Sequence, residues 1–226
     1  MRATFKSNLR RLFAALLPAL LAFSVSPGQA AERPIHILGF GDSLMQGYGL
    51  PPGTDFPTQL EKALKARGLD VAVINAGVSG DTSAGGLARL DWSLADKPDA
   101  AIVEFGGNDG LRGLSPAEME KNIDGMLAKL KAKNIPVLLA GMMSPRNWGP
   151  AYAAEFDAVF PRLAKKYDTL FYPFYLDGVA LNPALMQGDG LHANPAGVKI
   201  IVGRIMPLAV QLVAKAKAGP GGPGVK

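Results

Sequence analysis

Ile35-His36-Ile37-Leu38-Gly39-Phe40 runs directly into Gly41-Asp42-Ser43-Leu44. A run this poor in polar side chains reads as a strand covered on both faces, which places it inside a parallel sheet and not on a half-wet surface. The glycine-rich polar turn behind it marks where the strand stops. The arrangement recurs: Val71 to Asn75, Ala100 to Phe105 and Ile135 to Met142 are further short strands of this kind. The second opens into Asn75-Ala76-Gly77-Val78-Ser79-Gly80-Asp81-Thr82, and the third into Gly106-Gly107-Asn108-Asp109-Gly110.

Helical patterns fill the intervals. Ser115, Pro116 and Glu118 supply an N-cap, a proline at the first helical position and a capping-box acid, after which Met119, Ile123, Met126, Leu127 and Leu130 share one face. Phe56 to Arg67 is ended by Gly68, and Gly86 to Leu94 is a shorter helix. Tyr152, Phe156, Val159, Phe160, Leu163 and Tyr167 form another stripe, which Pro161 is expected to kink or split. Asn194 and Pro195 open a last helix carried by Val198, Ile201, Ile205, Leu208 and Leu212, with a bend expected at Pro207. Strands alternating with helices specify an α/β domain with helices on both faces of the sheet.

Composition narrows the chemistry. Among 226 residues there is no Cys and there are two His, His36 and His192. Disulfides, thiolate nucleophiles, Cys-ligated metals and lipidated cysteines are thereby excluded, and a multi-imidazole metal site would consume both histidines. No metal or cofactor is expected. The formal net charge of +5 is concentrated at the front, where Arg2, Lys6, Arg10 and Arg11 precede the apolar run Leu12 to Val25 and the small residues Gly28, Gln29, Ala30 and Ala31. Those are the parts of a secretory signal peptide. The run contains Pro18 and is shorter than the roughly 20 residues that span a bilayer. Residues 1–30 are therefore expected to be a signal peptide cleaved after Ala30 or Ala31. Export would be to the periplasm or onward to the medium, with no stable membrane insertion afterwards. Without the four leader cations the chain is close to neutral, which argues against a nucleic-acid partner. Residues 31–217 form one domain, and 218–226, mostly Gly and Pro, read as a disordered tail.

In open parallel sheets, ligands bind where strands end and the chain turns toward a helix. Gly39 and Gly41 begin a dinucleotide fingerprint, but its third glycine position holds Leu44, and no Walker lysine follows any of the loops. Ser43, Asp189 and His192 make a better account. Serine becomes a nucleophile when an imidazole takes its proton, and a carboxylate holds that imidazole in the right tautomer. Asp189 and His192 sit close together in the turn Gly188-Asp189-Gly190-Leu191-His192, and the sheet can bring that turn to Ser43. Donors for the oxyanion are expected from the backbone N–H groups of Ser43 and Gly80 and from the Asn108 amide. Ser43 alone would read as a helix cap, and His36, inside a strand, reads as packed structure. Asp42 and Asp109 are expected to fix their own loops, and Asp81, Thr82 and Ser83 to serve as turn and cap residues.

In order and spacing, Gly41-Asp42-Ser43-Leu44, Gly80, Gly106-Gly107-Asn108-Asp109 and Asp189-x-x-His192 resemble the four blocks of the SGNH, or GDSL, hydrolase family. Ser79 to Ser83 with Gly86 to Leu90, and Gly106 to Gly113, look more narrowly like its thioesterase I, lysophospholipase L1 and arylesterase branch. The resemblance covers essentially the whole domain. It implies a flavodoxin-like three-layer α/β/α sandwich on a five-stranded parallel sheet of order 2-1-3-4-5. It also implies catalytic Ser, Gly, Asn and His at Ser43, Gly80, Asn108 and His192, with Asp189 as the triad acid. Gly188 stands where relatives often carry an acid and Ala193 where a proline often follows the histidine, departures that bear on loop rigidity and substrate preference.

The expected function is thus an exported, monomeric serine ester hydrolase of arylesterase, thioesterase or lysophospholipase type. Its substrate would be a small-molecule ester or thioester with an apolar acyl chain. Tyr48, Leu111, Leu114, Met143, Trp148 and Met186 are the expected groove residues. Gly110 and Gly113, which bracket Leu111 and Arg112, suggest a segment that moves on binding. The alternatives are a carbohydrate O-acetylesterase using the same site and a non-enzymatic periplasmic binding module.

Overall fold

A computed structural model describes residues 33–219. The leader and the residues of the tail from 220 onward lie outside that range. Five parallel strands form one sheet in the order β2-β1-β3-β4-β5. They are β1 (Ile35–Gly41), β2 (Val71–Gly77), β3 (Ala100–Glu104), β4 (Val137–Ala140) and β5 (Leu170–Tyr172). The inner strands β3 and β4 are buried along their whole length, and β1 along nearly all of it, as their apolar runs require. The edge strands β2 and β5 are only partly covered.

The helices are α1 (Ser43–Gln46), α2 (Phe56–Lys65), α3 (Ser83–Ser93), α4 (Gly107–Leu111), α5 (Pro116–Ala132), α6 (Pro150–Tyr167) and α7 (Pro195–Ala218), with a 3₁₀ turn at Arg146–Trp148. Helix α2 packs with α7, while α5 packs against both α3 and α6. This division follows from the topology. The chain steps from β1 outward to β2 through α2, then returns across β1 to β3 and proceeds the other way through α3, α5 and α6. Right-handed crossovers in opposite directions put their helices on opposite faces. The reversal occurs between β1 and β3, where Gly41 pairs with Glu104. At such a switch point two neighbouring strands send their following loops apart and leave a crevice between them.

Several local expectations need revision. Helix α6 passes Pro161 without splitting, because Phe156, Val159, Phe160 and Leu163 are buried on both sides of the proline and packing holds the halves together. Helix α7 likewise runs continuously past Pro207 and ends at Ala218, one residue into the expected tail. Leu170–Tyr172 adds a strand too short to signal itself. Leu111 lies not in a free loop but at the end of α4.

Candidate active site

The site begins with the β1–α1 junction. Asp42 caps α1, its side chain accepting from Leu44 N at 3.0 Å, so that the chain turns sharply and Ser43 becomes the first helical residue. Gly41 is required beneath this turn, since a Cβ there would stand 2.6 Å from Glu104 Oε2. Across the crevice, the turn before α7 is drawn in by Asp189, whose Oδ1 accepts from the N–H groups of Leu191 (2.9 Å) and His192 (3.0 Å). Asp189 Oδ2 lies 2.6 Å from His192 Nδ1, and His192 Nε2 lies 2.8 Å from Ser43 Oγ. With Nδ1–H donating to the carboxylate, Nε2 is left as the acceptor for the serine hydroxyl. Although burial pushes the Asp189 carboxyl upward, hydrogen bonds from the His192 ring and from the His192 and Leu191 N–H groups hold it down to about 2. The Tyr48 ring lies 4.9 Å from the imidazole, centroid to centroid, and its loop is tied by Gln187, whose amide donates to Tyr48 O at 2.8 Å.

The opposite side of Ser43 is built from the β2–α3 turn and α4. Gly80 has φ +81°, the left-handed conformation that favours glycine. Its carbonyl accepts from Arg112 Nη2 at 2.8 Å, which fixes that peptide. Among the described residues neither the Gly80 nor the Ser43 N–H has an acceptor. Asn108 Nδ2 donates to Asp42 Oδ2 (3.1 Å) and to Asp81 O (2.9 Å). Both amide hydrogens are thus engaged, and an incoming oxyanion would share one of them. Arg89 ties the loops behind the site, donating to Asp81 Oδ2 (2.6 Å), Ala76 O (2.9 Å) and Gly41 O (2.9 Å). Asp109, also buried, accepts from the backbone N–H and hydroxyl of Ser83 and so clamps α4 to α3. Burial pushes Asp42 up to about 6 against its hydrogen bonds from Leu44 and Asn108. Among the described residues no cluster of side chains suits a metal ion.

A cleft of about 700 Å³ opens over Ser43, His192, Gly80 and Asn108. Of the six expected groove residues, Tyr48, Leu111 and Met143 line it. The other three do not. Trp148 is a buttress, donating from Nε1 to Gly110 O at 2.8 Å with its ring against Gly113, and so pins the segment expected to move. Leu114 gives its carbonyl to the Tyr152 hydroxyl (2.8 Å). Met186 is buried and bridges to Ala193. The apolar wall is completed by Met142, Phe174, Leu176, Leu181 and Leu191. Leu181 is 94% exposed at φ +65°, a position that local sequence does not signal.

Residues 40–200 match the model of the GDSL-like Lipase/Acylhydrolase family. The chain belongs to that family. GDSL-like relatives include the esterase TesA of Pseudomonas aeruginosa, 40% identical over 86% of this chain and 96% of that protein. Thioesterase 1/protease 1/lysophospholipase L1 of Escherichia coli is 38% identical over 83% of this chain and 88% of its own length. Among solved structures, the SGNH-hydrolase family esterase AlinE4 superposes with a TM-score of 0.68 at 48% identity, covering 79% of this chain and 96% of AlinE4. The protein is therefore an SGNH ester hydrolase.

Sequence reasoning missed the supporting residues of this GDSL-like site. Arg89 and Arg112 lie inside the blocks that carry the family resemblance, but nothing in the sequence announces that they clamp carbonyls. Glu104 is fully buried directly behind the nucleophile turn. Its signal is available in the sequence as a lone carboxylate inside the apolar run Ala100 to Phe105.

Proposed function

We propose that this chain is an exported serine esterase of the arylesterase, thioesterase and lysophospholipase kind, working through an acyl-enzyme. The observation that carries the reading is the unbroken chain Asp189–His192–Ser43, with contacts of 2.6 and 2.8 Å, opening on a largely apolar cleft. In the first half-reaction Ser43 Oγ bonds to the substrate carbonyl carbon while its proton passes to His192 Nε2. Asp189 stabilises the imidazolium through Nδ1–H. The carbonyl oxygen becomes an oxyanion and takes hydrogen bonds from the Ser43 and Gly80 N–H groups and from Asn108 Nδ2. Collapse expels the alcohol or thiol, which leaves with the His192 proton. In the second half-reaction His192 takes a proton from water, the hydroxide attacks the acyl-enzyme, and Ser43 is regenerated with release of the acid.

Tyr48, Leu111 and Met143 would flank an acyl chain, and the apolar wall supports substrates longer than acetyl esters. Every group invoked comes from one chain, so a monomer suffices. The leader at residues 1–30 supports export, to the periplasm in the first instance. The test is a chain-length series of aryl esters, run beside acyl-CoA and lysophospholipid. Preference for acyl chains of about six carbons or more is expected for a cleft of this size. Activity restricted to acetyl esters would instead favour a carbohydrate O-acetylesterase, and no turnover of any ester would favour a binding module.

A further inference from the structure

Beneath the nucleophile turn lies a second pair of carboxyls that the mechanism does not use. Glu104 ends β3 opposite Gly41 and is fully buried; Asp42 is 1% exposed. The Asp42 N–H donates to Glu104 Oε2 at 3.4 Å, while Glu104 Oε1 has no partner among the described residues. The Glu104 carboxyl is also within side-chain hydrogen-bonding reach of Asp42, and two carboxylates this deep cannot both be charged at modest cost, so across the neutral range they hold one proton and one charge between them. Hydrogen bonding decides where each resides. Asp42 accepts from Leu44 N and Asn108 Nδ2, donors that favour a carboxylate. Glu104 Oε1 accepts no hydrogen bond among the described residues and can carry the proton that Glu104 shares with the Asp42 side chain.

The surroundings do not reverse that assignment. His192 faces Asp42 from the turn before α7 and favours its charge, whereas Asp109 on α4 opposes it. Tyr175, from the loop after β5, faces the pair with a buried hydroxyl that has no partner among the described residues. The Arg89 guanidinium is occupied by Asp81 and two carbonyls.

We propose that Glu104, held as the neutral acid, is a positioning residue for Asn108: its proton bridges to Asp42, keeps that carboxylate charged, and through it fixes the orientation of the Asn108 amide. The orientation matters because the two ends of an amide are opposite in kind. With Asp42 charged, Asn108 Nδ2 sits between two acceptors, Asp42 Oδ2 and Asp81 O, so that its N–H groups, one of which the oxyanion would share, face the site in place of the amide oxygen. A neutral Asp42 would offer an O–H instead, which suits the amide oxygen and favours the reversed amide. Removing the acid at position 104 takes a hydrogen bond from the charged form of Asp42, so Asp42 binds its proton more tightly. This role rests on the serine esterase reading above.

The experiment is the pH profile of kcat and of KM for an aryl ester, measured on wild type, Glu104→Leu, Glu104→Gln and Glu104→Asp. Glu104→Leu is expected to move the acid limb of kcat upward by about one pH unit or more, with KM within about twofold. At pH 6.5 its kcat falls by about tenfold, less than the 10²- to 10³-fold that loss of an oxyanion donor costs, and it recovers toward pH 9. Glu104→Gln, whose amide accepts from the Asp42 N–H and donates to its carboxylate, returns the limb to the wild-type position. Glu104→Asp, withdrawn by one methylene, shifts it in the same direction as Leu but less, and carries the test if the Leu variant does not fold. A loss of kcat equal at all pH values, a Leu profile superimposed on wild type, or a Gln variant no better than Leu overturns the proposal. A wild-type protein that hydrolyses no ester would defeat the esterase reading, whereas an active wild type with an unshifted Leu variant would defeat only the role of Glu104.

Discussion

Two aspartates flank Ser43, and they live in opposite electrostatic worlds. Asp189 is more than a third exposed at its side chain, accepts hydrogen bonds from the ring and backbone N–H of His192 and from Leu191, and is held near 2. Asp42 is buried beside a second carboxyl, and burial pushes it up to about 6. One is therefore a fixed charge throughout the range in which an esterase is assayed, while the other changes charge inside that range. In the proposed mechanism the fixed charge orients the base. The variable one sits behind Asn108, the proposed oxyanion donor, so the two sides of Ser43 should answer differently to pH and to mutation.

The largest expected effect lies on the Asp189 side. His192→Ala should lower kcat by about 10³-fold or more, with circular dichroism unchanged, because no other imidazole reaches Ser43. A drop of only a few fold would mean that the base has been misplaced. On the other side, Asn108→Ala should cost about 10²- to 10³-fold in kcat with little change in KM, since its donor is needed as negative charge develops. An effect confined to KM would turn Asn108 into an ordinary binding residue.

A smaller effect separates the two aspartates by stability. A carboxyl whose folded-state pKa is raised stabilises the fold fully below its unfolded value, near 3.8, and that contribution is lost as pH rises through about 6. Wild type should therefore lose stability between about pH 4 and pH 6, with a slope contribution from Asp42 of at most about 1.4 kcal/mol per pH unit. Asp42→Asn should flatten that slope in denaturant titrations while lowering kcat. Asp189, held low, has the opposite sign: its contribution is present above about 3.8 and fades as pH falls toward 2. An unchanged slope in Asp42→Asn would mean that this carboxyl titrates normally.

This contrast also marks what a sequence discloses. Asp189 and His192 are legible because their pairing is local, inside one glycine-containing turn, and Ser43 and Asn108 because each follows a run that can only be an inner parallel strand. The order of the sheet came through family resemblance, since apolar runs alone do not say which strand neighbours which. Leu170–Tyr172 escaped because three residues carry no periodicity. Pro161 does not split α6 because the buried faces of Phe156, Val159, Phe160 and Leu163 override the local rule. Trp148 and Met186 were misassigned to the groove because proximity to a loop does not say which way a side chain turns. Glu104 is visible as a single acid inside Ala100 to Phe105, but one acid leaves the apolar character of the run intact and announces no role.

In the proposed mechanism Ser43 Oγ is the atom that attacks. Intact-mass and peptide analysis after treatment with an aryl phosphonate tests it most directly. One covalent adduct is expected, located on Ser43, absent from Ser43→Ala and formed far more slowly in His192→Ala. No adduct on the active wild-type protein, or an adduct that persists in Ser43→Ala, would contradict the account.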